Sequence, residues 1–111
     1  MEGIDTMANS LKPVAVYAIT DSMTTVYTVP GATTFTVSML HLCNTSASAV
    51  TVRVCIGGSS STNALMWDYS IAAKDTVELL KGDMWATGTT LQVSASLTNV
   101  VTLKLAGIET T

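Results

Sequence analysis

The chain predicts an all-β domain, an antiparallel β-sandwich of about eight strands, and three observations predict it. Short segments of alternating apolar and polar residues recur along the chain, each bounded by Gly, Pro, Asn, Asp or Ser. No segment sustains a helical period. The chain holds 19 threonines and 11 serines in 111 residues, the first suited to a pleated surface and the second to turns. Eight strands is also the jelly-roll number, so two sheets of Greek-key origin are the preferred arrangement. An immunoglobulin-like sandwich is the alternative. Its cue of two cysteines bracketing a tryptophan fails, because Trp67 follows both Cys43 and Cys55.

Residues 1–11 show no period and read as an N-terminal arm or tail, leaving 12–111 as a single sandwich domain. Pro13 introduces the first strand, Val14 to Ile19, where its missing N–H suits a strand start or an edge. Asp21 and Ser22 turn the chain into Thr24 to Val29. Pro30 and Gly31 close that strand, with Gly31 expected to take the positive φ.

Thr33 to Ile56 reads as two long strands joined at Asn44, Thr45 and Ser46, whose short side chains bond their own backbone. In the second arm Val50, Val52, Val54 and Ile56 share one face, and Thr51, Arg53 and Cys55 share the other. In the first arm Phe35 and Val37 have one parity and Leu40 and Leu42 the opposite one, which predicts a β-bulge near Ser38 and Met39. Taken as an adjacent hairpin, this pair separates Cys43 from Cys55 by roughly 20 Å at about 3.3 Å per residue. A disulfide needs Cα atoms within about 7 Å, so two free thiols are expected.

Gly57 to Asn63 is a Gly- and Ser-rich loop without the Gly-Lys-Ser/Thr that a phosphate cradle requires. Leu65 to Ser70 follows, with Leu65, Trp67 and Tyr69 assigned to the core and Asp68 to solvent. Thr76 to Leu80 is the sixth strand, Lys81 to Asp83 a turn, and Met84 to Ala86 either a short strand or an ordered loop. Thr90 to Ser96 sets Leu91, Val93, Ala95 and Leu97 on one face. In the last strand Val101, Leu103 and Leu105 oppose Val100, Thr102 and Lys104.

The residues are 48% hydrophobic and only 12% charged, against about 25% charged in a typical soluble domain. With a mean hydropathy of +0.44, such a surface has little to keep copies apart. This points to a subunit of an assembly. A net charge of −3 and five scattered basic residues argue against nucleic acid, whose phosphates call for clustered Lys and Arg. No apolar run approaches the roughly 20 residues of a membrane span, and no basic-then-apolar leader opens the chain. No cofactor is expected, and the spacing of the two cysteines matches no zinc pattern.

His41 is the one histidine, and no motif sets a nucleophile beside it, so it reads as a structural or interface residue. Arg53, with Thr51 and Cys55, forms a candidate interface on the face opposite the valines. Trp85, Tyr69 and Asp83 form a candidate surface or glycan contact, since aromatic faces stack on sugar rings and acids bind hydroxyls. Asn44-Thr45-Ser46 matches the N-glycosylation pattern but is read as a turn.

In order, the segments VYTVPGATTFTV, LCNTSASAVTVRV, WDYSIAAKDTVELLKGDMW and LQVSASLTNVVTLKLAGIE resemble a group of small structural proteins of tailed bacteriophages. The matching positions are Tyr27 to Pro30, Cys43 and Asn44, Thr51 to Arg53, Tyr69 to Thr76, Gly82 and Asp83, and Gly107 to Glu109. The likeness runs from about Tyr17 to Glu109, with a shorter segment between Ile56 and Trp67 than in that group. The resemblance implies a virion component, on the head surface or in the tail and its fibres. The reading built on it is a non-enzymatic subunit made in the host cytoplasm, whose partners are major capsid or tail subunits and which forms a homo-oligomer, with a trimer among the candidates. Compact size and the absence of a fibrous repeat favour a capsid decoration or cement protein over a tail, baseplate or fibre protein. A host-surface or carbohydrate-binding module is the alternative from a different class.

Overall fold

The computed structural model describes residues 9–80 and 82–111. Nine strands run in the order β1 (Asn9–Ala18), β2 (Thr24–Thr28), β3 (Thr34–Asn44), β4 (Val50–Ile56), β5 (Ala64–Ile71), β6 (Thr76–Leu80), β7 (Met84–Trp85), β8 (Thr90–Ala95) and β9 (Val101–Thr110). They form two antiparallel sheets packed face to face. Sheet A has the order β1-β9-β3-β6 with β7 also on β3, and sheet B has the order β2-β8-β4-β5.

The pairings are nested. β4 pairs with β5, β3 with β6, β2 with β8 and β1 with β9, as if one long hairpin had been bent at the β4–β5 connection. Rolling that hairpin brings β9 against β3 and β8 against β4, which closes the two sheets. This is the jelly roll, and it excludes the immunoglobulin-like alternative. The ninth strand, β7, continues the β6 edge along β3: Gly82 N–H donates to the Val37 carbonyl and Val37 N–H to the Asp83 carbonyl.

The apolar parities meet between the sheets. Val50, Val52 and Val54 of β4 and Leu91 and Val93 of β8 face Phe35, Val37, Leu40 and Leu42 of β3 and Val101, Leu103 and Leu105 of β9, all buried. The bulge expected near Met39 is present, as a register shift between Val37 and Met39 against β9 that lets both Val37 and Leu40 point inward.

Four expectations need correction. First, β3 and β4 are not an adjacent hairpin: they lie in different sheets, and the Asn44–Ser48 turn crosses the sandwich. Cys43 and Cys55 are indeed free thiols, yet what separates them is the layer between the sheets. Second, β1 begins at Asn9, so residues 9–11 of the expected arm pair with β9, and residues 1–8 lie outside the described residues. Third, the positive φ after Pro30 falls on Ala32, at 54°, instead of Gly31.

The fourth correction is the largest. β5 breaks its alternation twice against β4, between Val52 and Val54 and again between Val54 and Cys55, and Asp68 takes a left-handed φ of 57°. Asp tolerates that region better than most residues. Each shift resets parity, so Met66 and Ile71 are the buried residues of β5, while Leu65, Trp67 and Tyr69 are 43, 39 and 48% exposed. Tyr69 stands opposite Val52 in register, but β5 is the sheet edge and it stays uncovered.

Candidate functional site

The outer face of sheet B carries the richest side-chain chemistry. The bulge at Asp68 turns its carboxylate toward Arg53 on the neighbouring strand. Arg53 Nε donates to Asp68 Oδ1 at 2.7 Å and Nη2 donates to Oδ2 at 3.2 Å, a two-pronged ion pair. The Arg53 Cζ lies 4.0 Å from the centroid of the Trp67 ring. The hydrogen bonds from Arg53 hold the Asp68 carboxyl below its usual range, and in return Asp68 raises the guanidinium.

Beside this cluster is a depression of about 210 Å³ lined by Asp21, Thr51, Arg53, Asp68, Ser94 and Ser96. Asp21 arrives from the β1–β2 turn, which Ala95 N–H anchors by donating to the Thr20 carbonyl. Thr51 is fixed against Ser96 through Thr51 N–H donating to Ser96 Oγ and Ser96 N–H donating to the Thr51 carbonyl. A general acid working near neutral pH needs a raised pKa, and Asp68 has the opposite. The site suits recognition by mixed donors, acceptors and an aromatic ring.

The four interface candidates divide three ways. Arg53 and Thr51 share this depression. His41 is on the outer face of sheet A, where its Nε2 is 3.5 Å from Glu78 Oε2 and it lines a second depression of about 330 Å³ with Cys43 and Lys104. Cys55 is fully buried and is withdrawn as an interface residue. The segment after β4 folds back over it, its thiol donates to the Ser60 carbonyl at 3.6 Å, and burial pushes the thiol pKa up.

Comparison with protein-family models, curated proteins and solved structures returns no match.

The three glycan candidates do not form one groove. Tyr69 is exposed, but Trp85 is 3% exposed and is withdrawn as a surface contact. Its ring packs against Phe35 at 5.6 Å and near Tyr27 at 6.4 Å, and its Nε1 donates to Asp83 Oδ2 at 2.8 Å. Asp83 thus serves the core aromatic instead of a ligand. Asn44, the formal glycosylation acceptor, is fully buried and its amide is consumed internally. Trp67, Asp68 and Asp21 are the site residues that sequence reasoning missed. The pointer to Trp67 and Asp68 was an Asp between two aromatics in an apolar strand, since Asp is among the few residues that accept the left-handed conformation of a bulge, and no such signal marks Asp21. Among the described residues no cluster of three or more His, Cys, Asp or Glu could hold a metal ion.

Proposed function

We propose that the chain is a non-enzymatic structural subunit of a tailed-bacteriophage virion, a decoration or cement protein that bridges neighbouring shell subunits. The observation that carries this reading is the exposed Trp67–Arg53 stack, with Tyr69 and Leu65 on the same strand as Trp67. Trp, Tyr and Arg are the residues enriched where protein partners bind most tightly. Arg53 is already oriented by Asp68, so less side-chain freedom is lost on docking. The sparsely charged faces of the sandwich suit broad contact with a partner, and the likeness to phage structural proteins supplies the kind of partner. Such a protein works by adding binding free energy between shell subunits, and a tail or baseplate position would use the same face.

The test is particle binding. Virions carrying the chain, imaged with it placed, should show the Trp67 face against a shell subunit. Trp67→Ala should leave the protein folded and release it from particles, and particles stripped of it should lose integrity on heating and osmotic shock. Unchanged resistance of the stripped particles would sink the cement role.

A further inference from the structure

We propose that the outer face of sheet B docks on the outer face of sheet A of a second copy, with Lys104 of one copy entering the depression beside Asp21 of the next. The inference rests on the reading above only in taking the sheet B face as a contact surface, and it concerns the free protein, in which a second copy holds the face that a shell subunit takes on the particle. It starts from a charge inventory. Arg53 is paired with Asp68 and His41 with Glu78, and Lys74 donates to the Thr45 carbonyl. Asp75, Asp83 and Glu109 each accept a hydrogen bond from their own chain. Among the residues whose side chains are described, this leaves one carboxylate and one ammonium without a partner, Asp21 and Lys104.

Those two charges stand on opposite faces of the sandwich, and each lines a depression. Lys104 is on β9, in register with His41, whose imidazole lies against Glu78, and among the described residues the Lys104 ammonium makes no ion pair on that face. On sheet B, Arg53 offsets Asp68 and the Asp21 carboxylate is what remains. A Lys side chain reaching into the polar depression meets a free carboxylate with hydroxyls around it.

The edges offer copies no easier route. The outermost strands β1, β2, β5 and β6 each carry a register shift, which disrupts the ladder that a further strand would need. Association is therefore directed to the faces. A contact between two different faces is head-to-tail, and it closes into a ring when the rotation between copies allows, or continues as a filament when it does not.

Sedimentation velocity of the full chain, across its soluble concentration range and at low and high salt, tests this. The wild type should self-associate, more weakly at high salt. Lys104→Glu and Asp21→Lys should each weaken association by at least about tenfold with unchanged circular dichroism. Combining the two reversals should restore it, because the pair is rebuilt with its signs exchanged. A wild type that stays monomeric throughout, or a double reversal no better than the single ones, overturns the proposal. Particle binding that survives such a result leaves the virion role standing.

Discussion

Tyr27 donates its phenolic hydrogen to Glu109 Oε2 at 2.7 Å and so joins β2, on the edge of sheet B, to β9, inside sheet A. The two residues are 82 positions apart. The Tyr27 ring also lies 4.9 Å from Phe35, which in turn contacts Trp85, so the bond closes one end of the sandwich over an aromatic cluster.

Tyr27→Phe keeps the ring and removes the bond. It should destabilise the fold by about 1.5–3 kcal/mol in urea unfolding, the usual scale for a hydrogen bond to a charged group. The pH dependence has a definite sign. Burial first, and then the acidic partner, push the hydroxyl well above the ordinary phenol value of 10.0. A raised folded value means that the stabilisation is fully present below about pH 10 and is lost as pH climbs from there toward the folded value. The alkaline loss of stability should be steeper in the wild type than in Tyr27→Phe, and equal slopes would contradict the assignment.

Gly107 makes the same cluster possible. A Cβ built there would sit 2.5 Å from Phe35 Cζ and closer still to the Thr36 carbonyl oxygen, and backbone cannot swing away as a flexible side chain would. Gly107→Ala should cost about 2–3 kcal/mol through overpacking. Gly31 has nothing within 4 Å of the same construction and no positive φ, so Gly31→Ala should be neutral or slightly stabilising. Equal melting temperatures for the two variants would refute the packing argument.

The jelly roll was legible because it depends on long alternating runs and on turn residues, both local in sequence. The inward face of β4 and the bulge near Met39 follow from parity alone. Parity cannot say which strand lies beside which, and so β3 and β4 read as a hairpin although they lie in separate sheets. It failed in β5 because two register shifts reset it within eight residues, and the site hangs on that failure. Cys55 was misplaced for a different reason: strand parity is blind to a loop that folds back over the outer face. The matching motif positions mostly serve the fold, as Tyr27 with Glu109, Asn44 with Ile71, and Asp83 with Trp85 show.

Asn44 holds the crossing between the sheets. Its Nδ2 donates to the carbonyls of Ser48 at 2.8 Å and Ile71 at 3.0 Å, and its Oδ1 accepts from Ser46 N–H at 2.9 Å. Asn44→Ala strands these groups in a buried setting, where each unsatisfied one costs about 1–3 kcal/mol. A loss of about 3 kcal/mol or more is expected, with faster amide exchange in the 45–49 turn and at 72–75. Asn44→Asp should also be destabilising, because a carboxylate would replace the donor now facing the carbonyls of Ser48, Ile71 and Ala72. A stability within about 0.5 kcal/mol of wild type for Asn44→Ala would contradict this role.

The Arg53–Asp68 pair predicts a pH response that separates the site from the fold. Hydrogen bonds from Arg53 depress the Asp68 value in the folded state. With a depressed folded value, the stabilisation is present above the unfolded carboxyl value of about 3.9 and is lost only as pH falls from there through the folded one. Carbon-detected NMR of the Asp68 carboxyl should therefore show its titration below the ordinary range, and in Arg53→Ala it should move upward. Both groups are open to solvent, so the change in global stability should be small. The change in docking should be large, because protonating Asp68 frees the Arg53 fork and unfixes the guanidinium stacked on Trp67. Under the proposed virion role, binding to the particle should weaken as the Asp68 carboxyl titrates, at a pH where circular dichroism still reports an intact sandwich. Release that coincides with unfolding would show that the fork has no part in docking.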